Sequence, residues 1–314
     1  MSAQGLGTKG IIGEYFRAME QDVGVGWVNS ISNHFGSDQL TETYEFLGQS
    51  PVFREWIGGR NAKGLLDFNF TITNKHYEST LEITERQRGR DKTSQVQIRI
   101  NDQVRRASAH WASLLSTLIT NGASTACYDA QFFFDTDHSE GASGSQSNDV
   151  DIDISELPAA TAGVVTAPSS EEANLAVLKA ISLMTAFVDD QGEPMNEEAD
   201  EFLVMVPHSL FPAFQSGLTN PRGTGLSEQE NTLTKISVVA NARVNSSWDD
   251  EFAVFRTDSA IKPLIRQEEV APRLKVRAEG SEFECENDAH QFGLDAWRNV
   301  GYGYWQHAFL GTMT

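Results

Sequence analysis

Cysteine is scarce in this chain of 314 residues, and basic side chains are nearly missing from its middle third. The two cysteines, Cys127 and Cys285, lie far apart and outside any CxxC spacing. That excludes a disulfide framework and a zinc site, which takes about four clustered ligands, and leaves two reduced thiols as the expectation. No run of about eighteen apolar residues is present, so no membrane-spanning helix is expected. Met1 to Gly13 is glycine-rich, without a basic stretch leading into an apolar one, and does not read as a secretory signal. Phosphate-binding loops are absent too. Gly5–Gly10 lacks the GxxxxGK[ST] spacing, and Gly301-Tyr302-Gly303 is not followed by a third glycine at dinucleotide spacing.

What is present is acid. The chain carries 44 acidic and 24 basic side chains, a net charge of −20, which argues against a protein that grips nucleic acid by neutralising phosphates. The excess is uneven. Residues 60–106 hold 10 basic and 6 acidic groups, while residues 107–221 hold 1 and 17. A basic segment beside a strongly acidic one can pair within a chain or between copies, where complementarity steers association and fixes orientation.

Hydrophobic residues make up 39% and charged residues 22%, an ordinary globular balance for one large domain or two lobes sharing a core. Residues 1–43 read as an adaptable arm with a short amphipathic helix from Ile11 to Met19. Leu66 to Ile72 and Tyr77 to Ile83 alternate apolar and polar residues on either side of Asn74-Lys75, a pattern that predicts a β-hairpin. From Ser94 to Thr120 the period changes to three and four. Val104, Ala107, Trp111, Leu114 or Leu115, and Leu118 predict one helix about 40 Å long, with Ser94 as N-cap and Asn121-Gly122 as stop. Ser139–Ser147 reads as a mobile Gly/Ser loop. Further on, the patterns predict a helix over 171–187, a buried strand over 202–206 and a short helix over 209–218. Strands follow over 236–239, 252–255 and 274–278. The elements lack a regular βαβ rhythm, so the class is α+β.

Candidate chemistry is thin. Asp135, Asp137 and His138 offer oxygen and imidazole ligands of the kind a divalent metal takes, and an acidic metal-dependent hydrolase is the alternative they suggest. The same three residues suit a turn at a loop entry. Cys127 as a nucleophile would need a histidine base, and none of the seven histidines stands in a recognisable signature. Trp297, Tyr302, Tyr304 and Trp305 could stack bases, but only Arg298 is nearby to make a positive groove, and core packing suits them better. No catalytic set and no cofactor or metal site is expected.

Four ordered segments carry a resemblance. Tyr44–Trp56 (YEFLGQSPVFREW) with Gly58-Gly59-Arg60, Thr73–Thr80 (TNKHYEST), Cys127–His138 (CYDAQFFFDTDH) and Asp295–Ala308 (DAWRNVGYGYWQHA) resemble motifs of the Mu-like phage major head subunit family. They span the chain from about residue 40 to residue 309; the acidic, Gly/Ser-rich stretch 139–170 carries no such motif.

The resemblance implies the tailed-phage (Hong Kong 97-type) capsid fold, with the arm over 1–56, an extended β-hairpin loop over 57–92 and a peripheral lobe with a long spine helix over 93–149. An axial lobe over 150–260 and a return to the peripheral lobe over 261–314 complete it. It implies a non-enzymatic subunit of the virion, assembled in the host cytoplasm into hexamers and pentamers of an icosahedral head around double-stranded DNA. The expected partners are other copies, a separate scaffold protein, a portal and decoration proteins; no membrane is involved. Arg60, Lys63, Lys75, Arg86, Arg88 and Arg90 are the candidate inter-subunit contacts, meeting acidic groups of adjacent copies. A nanocompartment shell of the same fold is the nearer alternative.

Overall fold

A computed structural model describes residues 7–22, 24–44, 70–90, 94–157, 163–219, 234–245 and 247–314. In chain order the first elements are α1 (Thr8–Gln21), α2 (Trp27–Ile31), β1 (Ser32–Gly36), β2 (Thr41–Tyr44), β3 (Phe70–Thr73), β4 (Lys75–Thr84), α3 (Glu85–Arg90) and α4 (Gln95–Thr120). Next come β5 (Asp149–Ile152), α5 (Ser170–Thr185), β6 (Glu201–Val206), α6 (Phe211–Thr219), β7 (Lys235–Ala240) and β8 (Glu251–Arg256). The chain ends with β9 (Leu264–Arg277), α7 (Glu282–Asn287), β10 (Ala289–Tyr302), a 3-10 turn at Trp305–His307 and β11 (Ala308–Met313).

Two sheets organise the chain. A four-stranded sheet has the order β1-β9-β10-β4, and a five-stranded sheet has the order β5-β11-β8-β6-β7. The last segment divides between them: β9 and β10 join the first sheet, and β11 enters the second beside β5 and β8.

The long helix is where its apolar period puts it, from Gln95 to Thr120, about 39 Å at a rise of about 1.5 Å per residue. Ser94 precedes it in a left-handed conformation and forms no side-chain cap, so the N-cap role read from its type is not realised. The helix works as a strut between two cores. Its first half sends Val96, Ile100 and Val104 into a small core with Ile11 and Tyr15 of α1 and Phe292 and Leu294 of β10. Its second half sends Ala112, Leu115 and Ile119 into the main core, which the five-stranded sheet and α5 share. The start of α5 is fixed by a capping box, in which Ser169 and Glu172 each satisfy the other's backbone N–H.

The hairpin expected at Asn74-Lys75 does not form. β3 pairs antiparallel with β2, from Thr41↔Thr73 to Tyr44↔Phe70, while β4 pairs antiparallel with β10 over ten residues. Asn74 is buried where the chain crosses from one sheet to the other, and its Nδ2 donates to the Gln39 carbonyl at 3.0 Å. Leu81 and Ile83 have apolar partners in Phe292 and Leu294, more than 200 residues away in sequence, and burial against them outweighs a local turn. Most of the expected strand 66–72 and the tip region with Arg60 and Lys63 lie outside the described residues.

Three further expectations are revised. The arm over 1–43 is not simply extended: α2 leads into β1, which pairs parallel with β9. The strand read over 274–278 is the end of a 14-residue strand. The Gly/Ser loop 139–147 is anchored through buried Glu140 and through Gln146, whose Nε2 donates to the Val188 carbonyl at 3.0 Å.

Candidate functional site

The segment Cys127–His138 and the C-terminal run Tyr302–Ala308 meet in a buried polar hub. Three backbone carbonyls, those of Phe133, Trp305 and Ala308, accept from the Asn148 amide at 2.8, 3.4 and 3.3 Å. Its Oδ1 accepts from the Asp135 backbone N–H at 2.9 Å and lies 3.2 Å from His138 Nε2. The other ring nitrogen, Nδ1, lies 2.7 Å from Asp129 Oδ2. The His138 ring stacks on Trp305, with centroids 3.9 Å apart and planes 6° from parallel. Beside it, one oxygen of Glu140 accepts from Tyr128 Oη at 2.6 Å, Trp305 Nε1 at 2.9 Å and Gln306 Nε2 at 3.2 Å. Burial pushes the Glu140 carboxyl up, and those donors pull it back. A carboxylate taken out of water is tolerable only with such partners.

This hub binds loops together and is closed among the described residues: His138 and Trp305 are at 0% exposure. Cys127 Sγ donates to Asp129 Oδ1 at 2.9 Å, and burial followed by the charge of Asp129 pushes its thiol far up, which disfavours the thiolate that a nucleophile needs. Asp135, Asp137 and His138 do not converge as metal ligands. Asp135 accepts the backbone N–H groups of Phe132 and Thr136 at 3.1 and 2.7 Å, Asp137 is exposed, and His138 faces Asp129 and Asn148. The ligand-type groups that do meet are Cys127, Asp129 and His138, and separately Glu85, Glu284 and His290. In the first, Asp129 is already bonded to both neighbours; in the second, Arg88 lies 2.6 Å from Glu85 and supplies the positive charge.

Of the aromatic run near the C-terminus, Tyr302, Tyr304 and Trp305 are core residues, as their spacing with glycine suggests. A side chain at Gly301 would run into Ile72 and Phe70. Trp297 alone lies near the surface, stacked on His76 at 4.7 Å.

The basic candidates fall in different surroundings. Lys75 on β4 and Arg86 on α3 are exposed. Arg88 is held within the chain, 2.6 Å from Glu85 and 2.8 Å from Glu279, and it also donates to Thr8 Oγ1 at 3.0 Å. The Arg90 side chain, Arg60 and Lys63 lie outside the described residues. Reading the sequence missed Asp129, Glu140 and Asn148, the last two of which depend on partners up to 166 residues away. It also missed an acidic edge where Asp149 and Glu251 meet. Burial, then Asp250, Asp149 and Asp249, push the Glu251 carboxyl up to about 7.

Comparison with known proteins places this architecture. The Haemophilus influenzae protein described as the Mu-like prophage FluMu major head subunit is 26% identical over 281 residues, covering 88% of this chain and 64% of that protein. The major capsid protein of Escherichia phage Mu is 29% identical over 110 residues, 35% of this chain and 36% of the other. The chain therefore spans less than two thirds of the length of these relatives. Among solved structures, the bacteriophage JBD30 procapsid superposes with a TM-score of 0.53 at 21% identity, over 96% of this chain and 72% of the other. The cyanophage P-SCSP1u capsid gives 0.53 at 12% identity, over 94% and 91%. At such identities the likeness speaks for the fold, which is that of tailed-phage capsid proteins. The profile of the Mu-like prophage major head subunit gpT matches residues 9–158 and 226–313, and with most of its length so matched this chain belongs to that family.

Proposed function

We propose that this chain is a major capsid subunit, a structural component of a Mu-like phage virion that acts by associating with copies of itself and performs no chemistry. The observation that carries this reading is where the family match falls. It covers α1 to β5 and β7 to β11, the elements that build the four-stranded sheet, the strut helix and four of the five strands of the second sheet. The unmatched stretch 159–225 supplies α5, β6 and α6. The buried hub around His138, which ties the segment Cys127–His138 to the C-terminal run, agrees with a structural role.

In this reading the four-stranded sheet with α1 and α4 is the peripheral lobe, the five-stranded sheet with α5 and α6 is the axial lobe, and residues 57–92 meet a neighbouring copy. Copies associate as hexamers and pentamers around double-stranded DNA, with separate scaffold, portal and decoration proteins. Arg60, Lys63, Lys75, Arg86 and Arg90 meet carboxylates of adjacent copies, whereas Arg88 serves its own chain first. The acidic balance of the chain would keep a shell interior from trapping the packaged genome.

Mass photometry and negative-stain microscopy of the expressed chain test the function. Closed particles of megadalton mass are expected, and a single species at 34.6 kDa under every condition would refute the reading. Charge reversal at Lys75 and Arg86 together is expected to cut shell yield by about tenfold or more without shifting the subunit's melting temperature. Normal yield would remove both residues from the interface.

A further inference from the structure

Trp111 lies on α4 between the two cores, over two guanidinium groups. Arg298 of β10 is 4.8 Å and Arg266 of β9 is 5.6 Å from its ring centroid. Both arginines are buried, at 3% and 8% exposure. Each gives one hydrogen bond among the described residues: Arg298 Nη2 to the Ala107 carbonyl at 2.7 Å, and Arg266 Nη2 to Asn29 Oδ1 at 2.8 Å. The Nε of each is buried without a partner.

Buried charge is costly unless it is paired. Here the natural counter-ion is Glu268, opposite Arg298 in the strand register, yet its carboxylate is 3.3 Å from His34 Nε2 and makes no ion pair with either arginine. The Trp111 face recovers part of the cost through cation–π attraction. His110, on the other side of Arg298, also has an unpartnered buried Nδ1, and burial followed by the charge of Arg298 brings its pKa down to about 4. Burial lowers the pKa of both arginines.

A cleft opens at this point, lined by Met19, Asp22, Ser108, Trp111, Glu268 and Arg298. Asp22 at its rim already accepts from the Gly24 backbone N–H at 2.9 Å. The charged groups that line the cleft are thus Arg298 against Glu268 and Asp22.

We propose that this cleft receives a carboxylate side chain from a second copy of the chain, which lies against Arg298 and the edge of Trp111 when copies associate. The inference rests on the self-assembly reading above. A carboxylate matches the planar fork of a guanidinium and is the group that removes the unpaired charge. The second copy is the occupant the composition favours, because residues 107–221 alone carry 17 acidic side chains against 1 basic.

The test uses the full chain with Ser108→Glu and Ser108→Gln. Ser108 lines the cleft from α4, so the glutamate supplies the missing carboxylate from within, and the glutamine fills the same space without charge. The dissociated S108E subunit is expected to melt about 2 °C or more above S108Q. Particle yield is expected to fall about fivefold or more in S108E and to stay within about twofold of wild type in S108Q. Equal melting temperatures, equal losses in both variants, or normal assembly of S108E each overturn the proposal. If wild type forms no particles at all, the self-assembly reading falls and takes the inference with it; particles from wild type and S108E alike sink the inference alone.

Discussion

The two sheets of this molecule are buried in different ways. In the five-stranded sheet the inner strands are closed on both faces: Phe202 to Val206 of β6 and Phe252 to Arg256 of β8 are all buried. In the four-stranded sheet, part of one face is open among the described residues. Leu81 and Ile83 of β4 and Phe292 and Leu294 of β10 turn toward α1 and α4, while His76, Glu78, Thr80 and Glu82 stand exposed on the other side. The first arrangement uses all its surface for the stability of its own chain. The second leaves a polar, charged face, and it is this half of the molecule that carries the basic candidates and the arginine pair under Trp111. On the self-assembly reading, one chain thus divides its labour between holding itself together and meeting its neighbours.

The largest effects should come from attacking that contrast directly. Phe255→Ala, in a strand closed on both sides, is expected to cost about 3–5 kcal/mol in urea unfolding. Leu81→Ala, on the half-covered strand, should cost less than about 2 kcal/mol. Equal costs would erase the distinction between the sheets.

A smaller effect sits at the acidic edge of the five-stranded sheet. Glu251 has its carboxyl raised from 4.5 to about 7, so the folded chain holds this proton more tightly than the unfolded chain does. Its contribution is therefore full below about pH 4.5 and is lost as pH rises through 7. Glu251→Gln should melt with wild type at pH 4 and several degrees above it at pH 8, with solvent screening limiting the gain. A variant that melts below wild type at pH 8 would show that Glu251 is stabilised as an anion. The smallest effect is expected at the α5 capping box, where Ser169→Ala should cost about 1 kcal/mol, read by thermal unfolding.

The same contrast explains what could be read from the sequence. Strands closed on both sides are short apolar runs, and those of β6 and β8 are visible as such; α4 and α5 are visible from their helical period. The alternation on β4 is equally clear, but alternation says which face is buried and not which strand lies alongside. The partner is β10, whose run of glycine, aromatic and charged residues hides a 14-residue strand. The hub was half legible. Its two segments carried the family resemblance, yet Glu140 sits in a stretch that composition marks as a loop. Asn148 acts through carbonyls brought in from the far end of the chain. Arg266 and Arg298 look like ordinary surface cations in sequence, and only the fold places both beneath one indole.

The most direct test of the central claim is a cryo-electron microscopy reconstruction of particles formed by the purified chain. A closed lattice is predicted, in which the exposed half of the four-stranded sheet and segment 57–92 contact a neighbouring copy while the hub around His138 stays closed inside each subunit. Particles in which that face and segment touch no other copy, or preparations that hold only isolated subunits, would contradict the account.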